Sequence, residues 1–101
     1  MTFTGGNLND TIIVANTARY AAVYGGSGDD YIENNAADVY MWGQDGNDKI
    51  INNGANSCLI FGGNGDDTVE ITKGTGHYLD AGDGNDNCLL YTSPSPRDTE
   101  R

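Results

Sequence analysis

Five aspartates, Asp10, Asp30, Asp48, Asp67 and Asp86, recur at intervals of 20, 18, 19 and 19 residues, each as the sixth residue of a glycine-rich block. The blocks read GGNLND from Gly5, GGSGDD from Gly25, GQDGND from Gly43, GGNGDD from Gly62 and AGDGND from Ala81. Adjacent glycines permit positive φ and remove side chains where a chain turns tightly, so backbone carbonyls can converge beside the carboxylate. Carboxylate and carbonyl oxygens at flexible geometry are the donor set of a hard divalent cation. Among these, calcium accepts six to eight oxygens, whereas zinc prefers nitrogen and sulfur and magnesium demands a strict octahedron.

The elements that position these residues follow from the same period. A repeat near 19 residues signals a solenoid, and twelve of the 15 glycines fall inside the five blocks, which places them by repeat and not as flexible linker. Two residues after the sixth-position Asp stands Ile12, Ile32, Ile50 or Val69, an apolar side chain that opens a short strand. Counting back from each following block, the second residue is Val23, Met41, Ile60 or Leu79 and the fourth is Ala21, Val39, Cys58 or His77, an alternation of period two that predicts a second strand. Each unit therefore reads as two strands and two turns. Asn34-Asn35 and Asn52-Asn53-Gly54 fit the second turn, since Asn tolerates left-handed backbone. Stacked units bury the inward columns between two facing parallel sheets and line the acidic turns along one edge at about 4.8 Å spacing. Like charges about 5 Å apart at an effective dielectric near 20 cost on the order of 3 kcal/mol per pair, and Asp29, Asp45, Asp66 and Asp83 add to the field. A cation between the turns relieves it.

Composition narrows the alternatives. The chain has 101 residues and a formal charge of −10 at pH 7, so nucleic acid and anionic membranes are poor partners. One domain is the ceiling at this length, 37% apolar residues make a thick core hard to build, and no apolar run spans a bilayer. Residues 1–6 show neither a basic region nor the apolar stretch of a secretory leader, so export would rest on another signal. No His-Glu-x-x-His occurs, and Gly26-Ser27-Gly28 runs into Asp29 instead of completing Gly-x-Ser-x-Gly, so no enzyme activity is expected of the chain.

The C-terminal stretch departs from the repeats. Cys88 to Asp98 reads CLLYTSPSPRD, which resembles the in-frame translation of a sequencing adapter, and both prolines, Pro94 and Pro96, lie in it. Residues 1–87 are read as the repeat domain and residues 88–101 as a non-native disordered tail. Setting the tail aside removes two charges of each sign and leaves the net charge unchanged. It also leaves Cys58 alone, which excludes a disulfide framework, and no motif surrounds either Cys58 or the single His77.

The blocks and their following residues resemble the nonapeptide GGxGxDxUx, U being a large apolar residue, of the repeats-in-toxin (haemolysin-type) calcium-binding family. GGSGDDYIE from Gly25 and GGNGDDTVE from Gly62 match every defined position; Gln44 and Ala81 each replace one glycine, and Leu8 stands where a glycine belongs in the first copy. An EF-hand is not an alternative, because the DGND stretches at 45–48 and 83–86 lack its loop spacing and closing Glu. The resemblance implies an all-β, right-handed parallel β-roll of four to five coils, with calcium held between neighbouring turns. It implies side-chain ligation by Asp30, Asp48, Asp67 and Asp86, with Asp10 in the weaker first turn. Carbonyl ligands would come from the turn positions Gly25, Ser27, Gly28, Gly43, Asp45, Gly46, Gly62, Asn64, Gly65, Asp83 and Gly84. Five turns leave four gaps, of which the three between Gly25 and Asp86 are the better sites, so about three ions are expected. Secretion as an unfolded chain, by type I export, and membership of a larger protein are further implications.

Tyr24, Trp42 and Phe61, with Tyr40 and Tyr78, fall at positions of opposite parity to the inward column. They are expected to form an outward aromatic ladder, either stacking across strands or docking another domain, partner or ligand. Three roles stay open: a calcium-binding structural module, an adhesin or surface-layer segment that uses the aromatic face, and the C-terminal roll of a secreted hydrolase whose catalytic part lies elsewhere.

Overall fold

Apolar residues at every second position in short runs, separated by glycine-rich turns, produce strands that cannot stand alone and must stack on their repeats. A computed structural model describes residues 2–54, 56–74 and 76–90, and shows ten of them. They are β1 (Thr2–Thr4), β2 (Thr11–Val14), β3 (Ala22–Tyr24), β4 (Tyr31–Asn34), β5 (Tyr40–Trp42), β6 (Lys49–Asn52), β7 (Leu59–Phe61), β8 (Thr68–Ile71), β9 (Tyr78–Asp80) and β10 (Asn87–Leu90). Odd-numbered strands form one five-stranded sheet in the order β1-β3-β5-β7-β9, even-numbered strands the other in the order β10-β8-β6-β4-β2, and every pairing is parallel. The protein is a β-solenoid of about five coils with two short strands in each.

Register is in step throughout, because the residues that must be buried are the ones that pair. Val23, Met41, Ile60 and Leu79 align in the odd sheet, and Ile32, Ile50 and Val69 in the even sheet. All seven are buried and belong to one core. Ala21, Val39 and Cys58 join them, whereas His77, read with that column, is only half-buried and accepts the Cys58 N–H at Nδ1, 3.1 Å. The opposite parity of the odd sheet carries the aromatic ladder as expected. Tyr24 and Trp42 stack at 4.8 Å and 8°, Trp42 and Phe61 at 5.7 Å and 11°.

Two expectations need correction. Asn34 and Asn52 are not left-handed turn residues; they end β4 and β6 with buried side chains. The Asn34 amide nitrogen donates to the Asn52 side-chain oxygen and to the Ala36 carbonyl, both at 2.8 Å, so the amides close the turn and link coils. A buried amide satisfied in this way is worth keeping, since an unpaired one would cost 1–3 kcal/mol or so. Nor does the fold stop at Asn87. β10 continues to Leu90, with Cys88 opposite Val69, because the position asks only for an extended chain and a modest apolar side chain, and Cys88 meets that demand. Residues 91–101 of the predicted tail lie outside the described residues.

The second position of the acidic turn has positive φ at Gly26 (88°), Gly63 (90°) and Gly82 (83°), and also at Gln44 (71°). A side chain in that region costs about 1–2 kcal/mol, partly offset by the greater freedom of glycine in the unfolded chain. Gln44→Gly is therefore expected to stabilise the roll by roughly 0.5–1 kcal/mol, read as a raised midpoint in equilibrium urea denaturation.

Candidate metal centre

Each acidic turn joins an odd strand to the following even strand, so Gly5 to Asp10, Gly25 to Asp30, Gly43 to Asp48, Gly62 to Asp67 and Ala81 to Asp86 all lie along one edge of the solenoid. The sixth-position aspartates form a continuous column. Asp10 N–H donates to Asp30 Oδ1 (2.9 Å), Asp30 N–H to Asp48 Oδ1 (2.8 Å), Asp48 N–H to Asp67 Oδ1 (2.8 Å) and Asp67 N–H to Asp86 Oδ1 (2.7 Å). Each carboxylate thus holds the backbone of the coil before it.

The other oxygens are the anomaly. Asp30, Asp48 and Asp67 are 2%, 2% and 1% exposed, and their Oδ2 atoms are buried with no hydrogen-bond partner. An unsatisfied buried carboxylate oxygen is costly, and more so when charged. Beside each lies a niche that only a missing side chain creates. A Cβ on Gly25 would sit 2.8 Å from Asp30 Oδ2 and 2.8 Å from the Gly43 carbonyl oxygen. On Gly43 it would sit 2.7 Å from both Asp48 Oδ2 and the Gly62 oxygen, and on Gly62 it would meet Asp67 Oδ2 at 2.8 Å and the Ala81 oxygen at 2.5 Å. A carboxylate oxygen of one coil and a carbonyl of the next converge there three times over. Gly5 has the same arrangement with Asp10 Oδ2 and the Gly25 carbonyl, but Asp10 Oδ2 already accepts the Gly6 N–H at 2.7 Å.

Burial pushes all three inner carboxyls above the ordinary value. Asp48 rises to about 8, through burial first and then the charges of Asp67 and Asp30. Asp67 rises to about 7, through burial and then Asp86 and Asp66; Asp30 rises for the same first reason, with Asp10 adding to it.

Of the turn residues expected to ligate, the structure brings Asp30 to the Gly43 carbonyl, Asp48 to the Gly62 carbonyl and Asp10 to the Gly25 carbonyl, while Asp67 meets the carbonyl of Ala81. Asp10 and Asp86 end the column and are half-buried. Ser27, Asp45, Asn64 and Asp83 stand at the exposed tips of their turns, where the Asn64 amide donates to Asp45 Oδ1 at 3.1 Å. Gly28, Gly46, Gly65 and Gly84 pack directly on the carbonyls of Leu8, Gly28, Gly46 and Gly65, at φ between 98° and 108°. The Ala81 carbonyl is a member of the site that the sequence reading missed.

It missed a second column as well. Asn9, Asp29, Asn47, Asp66 and Asn85, the fifth residues of the blocks, form an outer ladder in which Oδ1 of each of the first four accepts the N–H of its counterpart in the following coil at 2.8–2.9 Å. The signal was the unbroken run of Asn or Asp at that position. Its alternation of neutral and charged members spares it adjacent like charges.

Among the described residues no three His, Cys, Asp or Glu side chains converge. Each of the three inner coils supplies one buried carboxylate, and a cation here would draw most of its ligands from backbone carbonyls. The donors at the three niches are all oxygen, which fits calcium and not zinc. Comparisons with protein families, with curated proteins and with solved structures return no match for the chain. No helix among the described residues is long and apolar enough to cross a membrane.

Because the folded carboxyls hold protons that the unfolded chain, titrating near pH 4, has released, the metal-free roll is most stable below about pH 4. That stability is lost as pH rises through about 7 for Asp67 and about 8 for Asp48. In excess chelator the β-signal in circular dichroism is expected to be largest in acid and to be lost as pH rises from about 5 to neutral, and Asp48→Asn, which cannot ionise, is expected to shift that loss to higher pH.

Proposed function

We propose that this chain is a calcium-binding module of the repeats-in-toxin kind, whose coils stack when calcium neutralises the aspartate column. The reading rests on one observation: three buried carboxylate oxygens without a partner, each facing a backbone carbonyl of the next coil across a glycine niche. Asp30, Asp48 and Asp67 with the carbonyls of Gly43, Gly62 and Ala81, and with Asp86 at the end of the column, would hold about three ions. The first turn is the weakest candidate, since Leu8 replaces a glycine and Gly6 already occupies Asp10 Oδ2. Sites of extracellular modules bind calcium at about 0.1–1 mM, so the switch would respond to the step from low-calcium cytoplasm to a calcium-rich exterior. That supports a secreted setting, in which the chain is one part of a larger exported protein.

An adhesive role would need the aromatic ladder free to bind. Its ring faces are instead spent on each other, at about 0.5–1.5 kcal/mol for each pair beyond burial, which favours coil cohesion for Tyr24, Trp42 and Phe61. Tyr40 and Tyr78, about half exposed, are the members left for a partner. Nothing in the geometry favours the hydrolase setting over the others.

Calcium titration followed by far-ultraviolet circular dichroism tests the reading. At neutral pH in excess chelator the β-signal is expected to be absent, and to appear cooperatively by millimolar calcium, with about three ions counted by calorimetry. Asp48→Asn is expected to bind at least one ion fewer. A full β-signal at neutral pH in chelator, unchanged by calcium, would overturn it.

A further inference from the structure

The turn edge opposite the acidic one carries a cleft of about 400 Å³, lined on its polar side by Tyr20, Asp38, Tyr40 and Ser57. That volume falls within the roughly 300–1,000 Å³ of small-molecule sites. Its lining has an unusual backbone. Tyr20, Asp38 and Ser57 each stand two residues before an odd strand, in successive coils, and each has positive φ: 66°, 59° and 57°. One coil further on the same position is Gly76, at 73°. Three coils therefore keep a side chain where glycine would be cheaper, and left-handed residues of this kind gather at binding sites. All three of those side chains line the cleft.

The floor has a cause in the register. Ala22 pairs with Tyr40, which pairs with Leu59, so the cleft opens where a small outward residue stands beside the large Tyr40, with Leu59 one coil further on. Tyr20 is 72% and Tyr40 47% exposed. Trp42 is stacked against Tyr24 and Phe61, whereas Tyr40 stands across it at 79° and 6.1 Å and lines the cleft.

Charge decides what fits. The chain carries −10, yet the outward positions of the odd sheet, from Thr2 and Thr4 through Ala22, Tyr40 and Leu59, hold one charged residue, Asp80. Asp38 is already ion-paired with Arg19, whose guanidinium also lies 5.0 Å from the Tyr20 ring centre. A cation would find its counter-charge taken; an anion would meet the overall negative field. An uncharged ring with one apolar face and several hydroxyls matches tyrosine faces, a serine hydroxyl and a carboxylate. We propose that this cleft binds a neutral pyranose sugar, with Tyr20 and Tyr40 as stacking surfaces and Asp38 and Ser57 as hydrogen-bonding groups.

The site requires stacked coils but not any particular reading of the acidic edge, and circular dichroism on each sample separates failure to fold from failure to bind. The whole chain in millimolar calcium is applied to an array of neutral glycans, and hits are confirmed by saturation-transfer NMR with the matching methyl pyranoside. Binding to at least one neutral hexose-terminated glycan is expected. Ala22→Tyr, which fills the floor with a ring in register with Tyr40, is expected to weaken it about tenfold or more with an unchanged β-signal. Tyr20→Gly, which removes one ring and relieves a left-handed side chain, is expected to weaken binding while raising the unfolding midpoint. A folded protein that binds no glycan on the array, binding unaffected by both variants, or tetramethylammonium competing for the same cleft would each overturn the proposal.

Discussion

Everything in this structure answers to a carboxylate with one oxygen satisfied and the other not. Oδ1 of each inner aspartate is committed to the backbone of the preceding coil, which fixes the spacing of the acidic turns. Oδ2 is left buried against a carbonyl. Two oxygens carrying partial or full negative charge repel in a low-dielectric niche, and among the described residues no side chain answers the carboxylate oxygen. The glycines are what bring them so close, since any Cβ at Gly25, Gly43 or Gly62 would collide with both oxygens. The turn is therefore assembled around an electrostatic deficit that only protons or a cation can make good.

The neighbouring column shows that this deficit is particular to the buried position. Fifth-position residues make the same kind of bond between coils, but they are exposed and alternate Asn with Asp. Neutral members interrupt the repulsion, and water screens the remainder. In the sixth position every member is Asp, and three of them are dry. The same side-chain geometry thus serves as a simple staple in one column and, in the other, as a staple that leaves a buried carboxylate oxygen without a partner.

Much of this was legible in the residues. The period near 19 gave the coil, alternation gave both strands, and the burial of Val23, Met41, Ile60 and Leu79 followed from parity alone. The shared edge of the acidic turns and the outward aromatic positions were legible for the same reason. Less accessible were features set by distances between coils: which carbonyl faces which carboxylate, the Ala81 carbonyl among them, and the direction of the outer ladder. Asn34 and Asn52 misled because asparagine closes turns in two ways, through its own φ or through its amide, and composition does not distinguish them. Positive φ at Tyr20, Asp38 and Ser57 had no signal, since tyrosine in particular is a poor left-handed residue.

The two ladders run in opposite senses. Fifth-position side chains accept from the coil ahead, sixth-position side chains from the coil behind, so each interior unit is clamped from both directions by contacts of nearly equal length. Such a unit is a translational element: it can be duplicated or excised, and the donors and acceptors on either side of the splice still meet. Evolution can then set the span of the rod by copying coils, tuning length as a ruler does, without redesigning a single contact.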